Sequence, residues 1–278
     1  MLPILQIGPL TLRTPGLALL GGLWFGLELA SRAGTRRGIS EDHIYNLGFF
    51  TLLAGVLGAR LGFVLTHFKL YTGITPPGRA LLSVFALSTG TETLWAGLLA
   101  ASAVAVYLVH RWKLPVSALL DSYAPGIALF VIALGIANLF SGDWYGVETR
   151  LPWAITLWGA SRHPTQIYLA LAGLLTLGLL LRREHRVFAD HMPGKRGSKA
   201  KAQVRTAQAP PQPGVSILTL SLMLSLTLLL IEPLRADSPV IFGNIRTWQV
   251  AALGTLVATL LAHSMKAPLQ LTDADQPM

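Results

Sequence analysis

Apolar residues in this chain come in long blocks with short polar punctuation between them. The blocks fall at 17–31, 45–66, 93–110, 118–140, 165–181, 215–232 and 247–264. About 17–25 apolar residues in helical conformation cross a hydrocarbon layer of about 30 Å, so the pattern predicts a polytopic all-α membrane protein of about seven transmembrane helices. Ser40 before Glu41 and Asp42 reads as the N-cap and acidic first turn of the second helix. Pro125 inside the fourth block predicts a kink. Glycines at 55, 58 and 62 predict close packing of the second helix against a neighbour. The whole chain, 1–278, reads as a single membrane domain. The basic, proline-rich stretch 187–214 reads as a flexible linker, and 267–278 as a disordered tail.

Composition agrees with the blocks. Hydrophobic residues make up 52% and charged ones 13%, about half the charged share of an ordinary soluble domain. Cysteine is absent, which excludes a disulfide framework and a thiol catalyst belonging to the chain. The opening residues lack the basic region and cleavage site of a signal peptide, so the first block is expected to be an uncleaved anchor. The net charge of +9 sits mostly in loops, where anionic lipid head groups account for it and no nucleic acid is required.

Lys and Arg fall unevenly on the two sides of such a topology. Arg182, Arg183, Arg186, Lys195, Arg196, Lys199, Lys201 and Arg205 lie in or beside the linker, and Arg32, Arg36, Arg37, Arg111, Lys113 and Lys266 share its side. The opposite side holds half as many. The excess marks the linker side as cytoplasmic, with the N-terminus outside and the C-terminus inside.

That orientation gathers the polar groups of the blocks at their outer ends. Arg60 lies near the outer end of the second block and Asn138 near that of the fourth; Arg162, His163 and Gln166 open the fifth, Glu232 and Arg235 close the sixth, and Gln249 opens the seventh. Taken singly, each has a bland account. Arg60 could snorkel or pair with Glu232, Asn138 could bond across helices, and Trp95, Trp144, Tyr145, Trp153 and Trp158 read as an interfacial aromatic belt. Five helices contributing polar groups at one level point instead to a site open to the outer leaflet. Arginines beside amides and carboxylates suit a phosphate-bearing lipid head group, since Arg binds phosphate in a bidentate way and stays charged. No spacing suggests a metal site, and no Ser-His-Asp order or phosphate loop is legible. A transporter fits less well, because paired interrupted helices are missing from the pattern.

The motifs GPLTLRTPG, GARLGFVL, DSYAPGIAL, NLFSGDWYG, LPWA, RHPTQIY and IEPLRAD, followed by Gln249, resemble in kind and order the bacterial prolipoprotein diacylglyceryl transferases. The resemblance covers nearly the whole chain. It implies seven membrane helices in the bacterial cytoplasmic (inner) membrane, and transfer of diacylglyceryl from phosphatidylglycerol to the lipobox cysteine thiol of an exported preprotein. The implied partners are phosphatidylglycerol, the preprotein and membrane lipids, with no cofactor and no metal. Carried over by position, Arg235, Asn138, Glu232 and Asp143 are the expected catalytic residues, Asp143 being a shorter acid where the family usually has Glu. Arg60, Arg162, His163, Gln166, Gln249 and Trp95 are the expected substrate-binding residues.

The chain departs from the family's pattern in several places. The signature Gly-Arg-x-Gly-Asn reads Leu134, Gly135, Ile136, Ala137, Asn138, so the expected phosphate-holding arginine is Gly135. Ser141 stands for a second Asn, Pro15 for a tyrosine, Trp95 for a His or Tyr, Ala96 for a glycine and Leu169 for a Glu. On this reading Gly135→Arg should raise a weak transferase activity. The alternative is a catalytically impaired family member that binds lipid or peptide without reaction.

Overall fold

The computed structural model describes residues 4–7, 10–69, 94–189 and 213–266. Among them a helix occupies each block that hydropathy marked: α1 (Thr14–Thr35), α2 (Glu41–Thr66), α3 (Leu94–Arg111), α4 (Val116–Ser141), α5 (Thr165–Ala189), α6 (Val215–Ile231) and α7 (Thr247–Lys266). Five of them, α2 to α6, are long and apolar enough to cross a membrane. At about 1.5 Å per residue, the 26-residue α4 extends about 39 Å. Helix α5 runs to Ala189, three residues into the stretch read as linker; the rest of that stretch up to 212, and the tail from 267, lie outside the described residues.

Among the described residues three short antiparallel hairpins accompany the helices: β1 (Ile4–Ile7) with β2 (Leu10–Arg13), β3 (Ile155–Leu157) with β4 (Ala160–Arg162), and β5 (Val240–Phe242) with β6 (Ile245–Arg246). Hydropathy gave no hint of them, since strands of two to four residues are too short to set a period. The β3–β4 turn places Trp158 and Gly159 at φ 52° and 79°, the left-handed pair that a two-residue hairpin loop requires.

The chain divides into two compact units, Gly34–Leu119 and the remainder. In the first, α2 packs along α3 through small residues. A Cβ added at Gly97 would come within 2.7 Å of the Gly55 carbonyl oxygen, so the backbones touch as the glycine spacing predicts. The N-cap is also as expected, with the His43 N–H donating to Ser40 Oγ at 3.4 Å.

In the second unit α4 is the central element. Ala124 and Ala128 of α4 bury against Leu177 and Leu180 of α5 and Leu220 of α6, with Leu29 of α1 packed beside them. Nearer the other end of α4, Val131, Leu169 and Ile231 form a second cluster under Trp144 and Tyr168. Helix α6 meets α7 through a polar contact, Ser221 Oγ to Thr259 Oγ1 at 2.6 Å. Both carboxylate oxygens of the buried Asp121 accept backbone N–H groups at the start of α6, from Gly214 at 2.6 Å and Ile217 at 2.9 Å. This satisfies donors that the helix cannot bond internally.

Candidate functional site

Past the end of α4 the chain makes a compact polar knot. Residues 145–149 run between two other segments and bond to both. On one side Val147 N–H donates to Leu234 O and Ala236 N–H to Tyr145 O; on the other, His163 N–H donates to Val147 O and Thr149 N–H to Ser161 O. The isolated pairings Gly146–Arg235 and Glu148–Arg162 fall on this ladder. Three motifs far apart in sequence, NLFSGDWYG, RHPTQIY and IEPLRAD, are thereby held in one small sheet-like unit.

Arg235 sits at its centre and is 4% exposed. Its NH1 donates to both oxygens of Glu232, at 3.3 and 3.1 Å, while Nε and NH2 donate to Asp237 Oδ1 at 3.1 and 2.9 Å. The face of the guanidinium lies over Trp144, 4.2 Å from the ring centroid. Glu232 is fully buried on a 3-10 turn (Glu232–Leu234) that ends α6, and it also accepts from Ser238 Oγ. Two carboxylates thus share one arginine, and the cluster carries a formal net negative charge. One carboxylate would balance the buried cation, the second leaves the excess negative charge, and the forked bonds fix the guanidinium's orientation.

A second set of contacts surrounds the end of α4. Gln166 Nε2 donates to Asp143 O at 2.8 Å and Thr165 Oγ1 donates to Trp144 O. The Asn138 carbonyl accepts from Gly142 N–H at 2.8 Å. Two buried polar atoms here have no partner among the described residues: Asn138 Nδ2, a donor, and Gln166 Oε1, an acceptor. Buried polar groups are nearly always satisfied, so each orphan needs a reason.

Eight of the ten residues expected from sequence lie in the compact unit that holds this knot: Asn138, Asp143, Arg162, His163, Gln166, Glu232, Arg235 and Gln249. Asp143 contributes its backbone, and its exposed carboxylate has no partner among the described residues. Arg162 lies over the Tyr145 ring at 5.1 Å and bonds Leu157 O, Gly146 O and the exposed Glu148 carboxylate. His163 approaches Tyr168 Oη at 3.4 Å. Gln249 uses Oε1 to accept the Arg246 N–H at 2.9 Å, which caps the start of α7. Arg60, over Phe63 at 5.5 Å, and the exposed Trp95 belong to the α2–α3 unit.

Sequence reasoning missed Asp237, Ser238 and the part played by Trp144. The signal for Asp237 was available, since an acid two residues after an arginine on an irregular turn can reach it. Trp144 and Tyr145, expected in the aromatic belt, have their rings against Arg235 and Arg162. Trp153 and Trp158 stay largely exposed but donate inward, to Tyr168 Oη at 2.8 Å and Gly142 O at 3.1 Å.

Gly135 brings a further correction. A Cβ there would meet Gln166 O at 2.7 Å, Ala170 N at 2.8 Å and Ala170 Cβ at 2.9 Å. Helices α4 and α5 are in backbone contact at this point, and the slot for a side chain is closed. An arginine cannot be restored by substitution without parting the two helices.

Comparison with known proteins gives the chain a context. A family model described as prolipoprotein diacylglyceryl transferase matches residues 3–265. A protein of Bordetella parapertussis named phosphatidylglycerol–prolipoprotein diacylglyceryl transferase is 32% identical over 184 residues, 63% of this chain and 68% of that protein. Proteins of the same name from Cutibacterium acnes and Photobacterium profundum are 30% and 32% identical. Those alignments cover 67% and 64% of this chain and 65% and 67% of the two relatives.

Proposed function

The chain belongs to the prolipoprotein diacylglyceryl transferase family, and from that premise we propose that it moves diacylglyceryl from phosphatidylglycerol to the lipobox cysteine of an exported preprotein. The cysteine sulfur, as thiolate, attacks the glycerol carbon that carries the phosphate ester. The carbon–oxygen bond breaks, a thioether forms, and glycerol phosphate leaves with the electron pair. The thiol proton ends on a nearby base or on the departing phosphate. The chain's tasks are to orient the lipid head group and to offset charge as it develops on the leaving oxygen.

The observation that carries this reading is the pair of unpartnered buried atoms, Asn138 Nδ2 and Gln166 Oε1, in the network that also holds the Glu232–Arg235 pair. One lacks an acceptor and the other a donor. A glycerol phosphate head group supplies both, through its oxygens and its hydroxyls. In this reading Arg235 and Asn138 act on the reacting phosphate ester, with Glu232 fixing the arginine. Arg162, His163 and Gln166 line the head group, and Gln249 acts through Arg246. The Asp143 carboxylate is proposed to complete the head-group site, and Arg60 and Trp95 are proposed to contact substrate lipid within their own unit. All seven helices cross the inner membrane, with the N-terminus outside, the site open to the outer leaflet and the C-terminus in the cytoplasm.

Gly135 favours a second reading, a lipid-binding member that no longer reacts, because the slot for the family's arginine is closed. One assay separates the two. Purified protein in detergent is given phosphatidylglycerol with a labelled diacylglyceryl group and a lipobox peptide, with an Arg235→Ala variant alongside. A thioether product that depends on Arg235 supports the transferase. Folded protein that binds phosphatidylglycerol and yields no product overturns it in favour of the binder.

A further inference from the structure

The segment that joins α6 to α7 leaves the Glu232–Arg235 cluster, forms the β5–β6 hairpin and returns. That hairpin is apolar in a way that packing against protein does not explain. Val240, Ile241 and Phe242 are 54, 60 and 81% exposed, and Ile245 opposite Phe242 is 50% exposed. Side chains of a strand alternate between its two faces, so a ribbon with one face on protein and one in water alternates apolar with polar. Three consecutive apolar residues uncovered on both faces describe a ribbon immersed in an apolar medium. The polar or small positions are the tip, Gly243 and Asn244, and Arg246 at the base, whose guanidinium turns back to Ser238 O.

The hairpin's place in the chain says what that medium is. It follows α6, a helix apolar and long enough to cross a membrane, and leads without a spacer into α7 at Thr247. The exposed apolar surface is continuous in kind across all three elements, from Leu230 on α6 through the hairpin to Val250 and Leu253 on α7. Full immersion in hydrocarbon is excluded, because a two-stranded ribbon leaves its outer N–H and C=O groups unpaired. The boundary between head groups and acyl chains accepts apolar side chains and still supplies hydrogen bonds.

We propose that the β5–β6 hairpin is an interfacial anchor, seated in the lipid head-group boundary, that holds the buried acid–arginine cluster at that depth. Its base is tied to the cluster at several points. Arg246 NH1 donates to Ser238 O at 2.9 Å, Thr247 N–H donates to Pro239 O at 3.2 Å, and Ser238 Oγ donates to Glu232. A shift of the hairpin therefore moves Ser238, and Ser238 carries Glu232 with it. The anchor rests on reading α6 as a membrane span and does not depend on the transferase reaction.

The chain has no cysteine, so a single introduced thiol is a unique probe. Phe242→Cys and Ile241→Cys carry a nitroxide in vesicles of phosphatidylglycerol and phosphatidylcholine, with Arg150→Cys as the exposed polar reference. Collisions with oxygen, which concentrates in lipid, are compared with collisions with a water-soluble nickel chelate. The expected result is an oxygen-to-nickel ratio several-fold higher at 241 and 242 than at 150. A ratio equal to that at 150 overturns the anchor. Protection that arises only when a lipobox peptide is added overturns it too, and assigns the hairpin to the preprotein. For the coupling to the site, Phe242→Asp should lower transfer in vesicles by about tenfold, with the unfolding temperature in detergent unchanged. Full transfer by that variant overturns the coupling but leaves the labelling result standing by itself.

Discussion

Arg235 and Trp144 are stacked, guanidinium over indole at 4.2 Å, and Asp237 binds both of them. One oxygen of Asp237 accepts from the arginine, and the other accepts the Trp144 N–H at 2.7 Å. Trp144 has φ 55°, a left-handed conformation that a bulky residue adopts only when its surroundings hold it there. Asp237 supplies one such hold, and the Thr165 hydroxyl bonded to Trp144 O supplies another. The stack is thus a product of three motifs meeting, not of local sequence.

Asp237→Asn tests the arrangement. The amide nitrogen would face either the Trp144 N–H or the guanidinium, so one of the two bonds must be lost. The expected cost is about 1–3 kcal/mol of stability, the usual penalty for stranding a buried donor. Transfer to a lipobox peptide should fall by about tenfold or more as Arg235 loses its orientation. Thermal unfolding in detergent and the transfer assay, run on the same preparation, check both numbers.

Glu232 should matter more to the fold than Asp237. It is fully buried, and the arginine that it pairs with is nearly so. Removing one partner of a buried ion pair commonly costs about 3–5 kcal/mol where the other charge is stranded, and because Arg235 keeps Asp237 the low end of that range is expected here. Glu232→Ala should therefore unfold at markedly lower temperature. The double variant Glu232→Ala with Arg235→Met should recover part of that loss while remaining inactive. A double variant no more stable than the single would show that the pair is not the source of the cost.

Gly135→Ala isolates the closed slot between α4 and α5. The added methyl meets backbone atoms on α5 at under 3 Å, and overpacking of this kind costs about 1–3 kcal/mol. Gly135→Arg should be worse, with poor folding and no gain in transfer. A folded and more active Gly135→Arg protein would mean that the helices part readily.

The helices were legible because block length and apolarity are local properties of the sequence. Each of the seven predicted blocks lies on a helix, and the Ser40 cap and the Gly55–Gly97 contact followed from residue type and spacing. The site was legible only as a list of chemical types at a shared depth. Which carboxylate holds which arginine depends on the ladder around 145–149, made of bonds between segments about 15 and 90 residues apart. Hydropathy carries no record of such pairing. For the same reason the stacking of Trp144 on Arg235 was not legible.

Asp121 provides a contrast at the other end of α6. Its two bonds cap the start of that helix, 17 residues before the site and so about 26 Å away along the axis. Asp121→Ala should cost about 0.5–2 kcal/mol, as the loss of an N-terminal cap does. Transfer per folded molecule should not change. A large drop in transfer with ordinary stability would place Asp121 in the reaction and would contradict the separation of the two ends.

Asn138 should behave in the opposite way. Its Nδ2 is buried and unpartnered, so the folded protein already bears the cost of that amide without a compensating bond. Deleting it removes an unsatisfied donor and leaves a small void, two effects of about 1 kcal/mol and opposite sign. Asn138→Ala is therefore expected to unfold within about 1 kcal/mol of the parent. If that donor serves the lipid, transfer should nevertheless fall by about 10²–10³, the usual effect of losing one preorganised donor. Stability and activity would then separate at this residue, as they do where a fold keeps an unsatisfied group for its ligand. Equal losses in both would make Asn138 a packing residue, and Gln166 Oε1 would be left as the remaining mark of the head-group site.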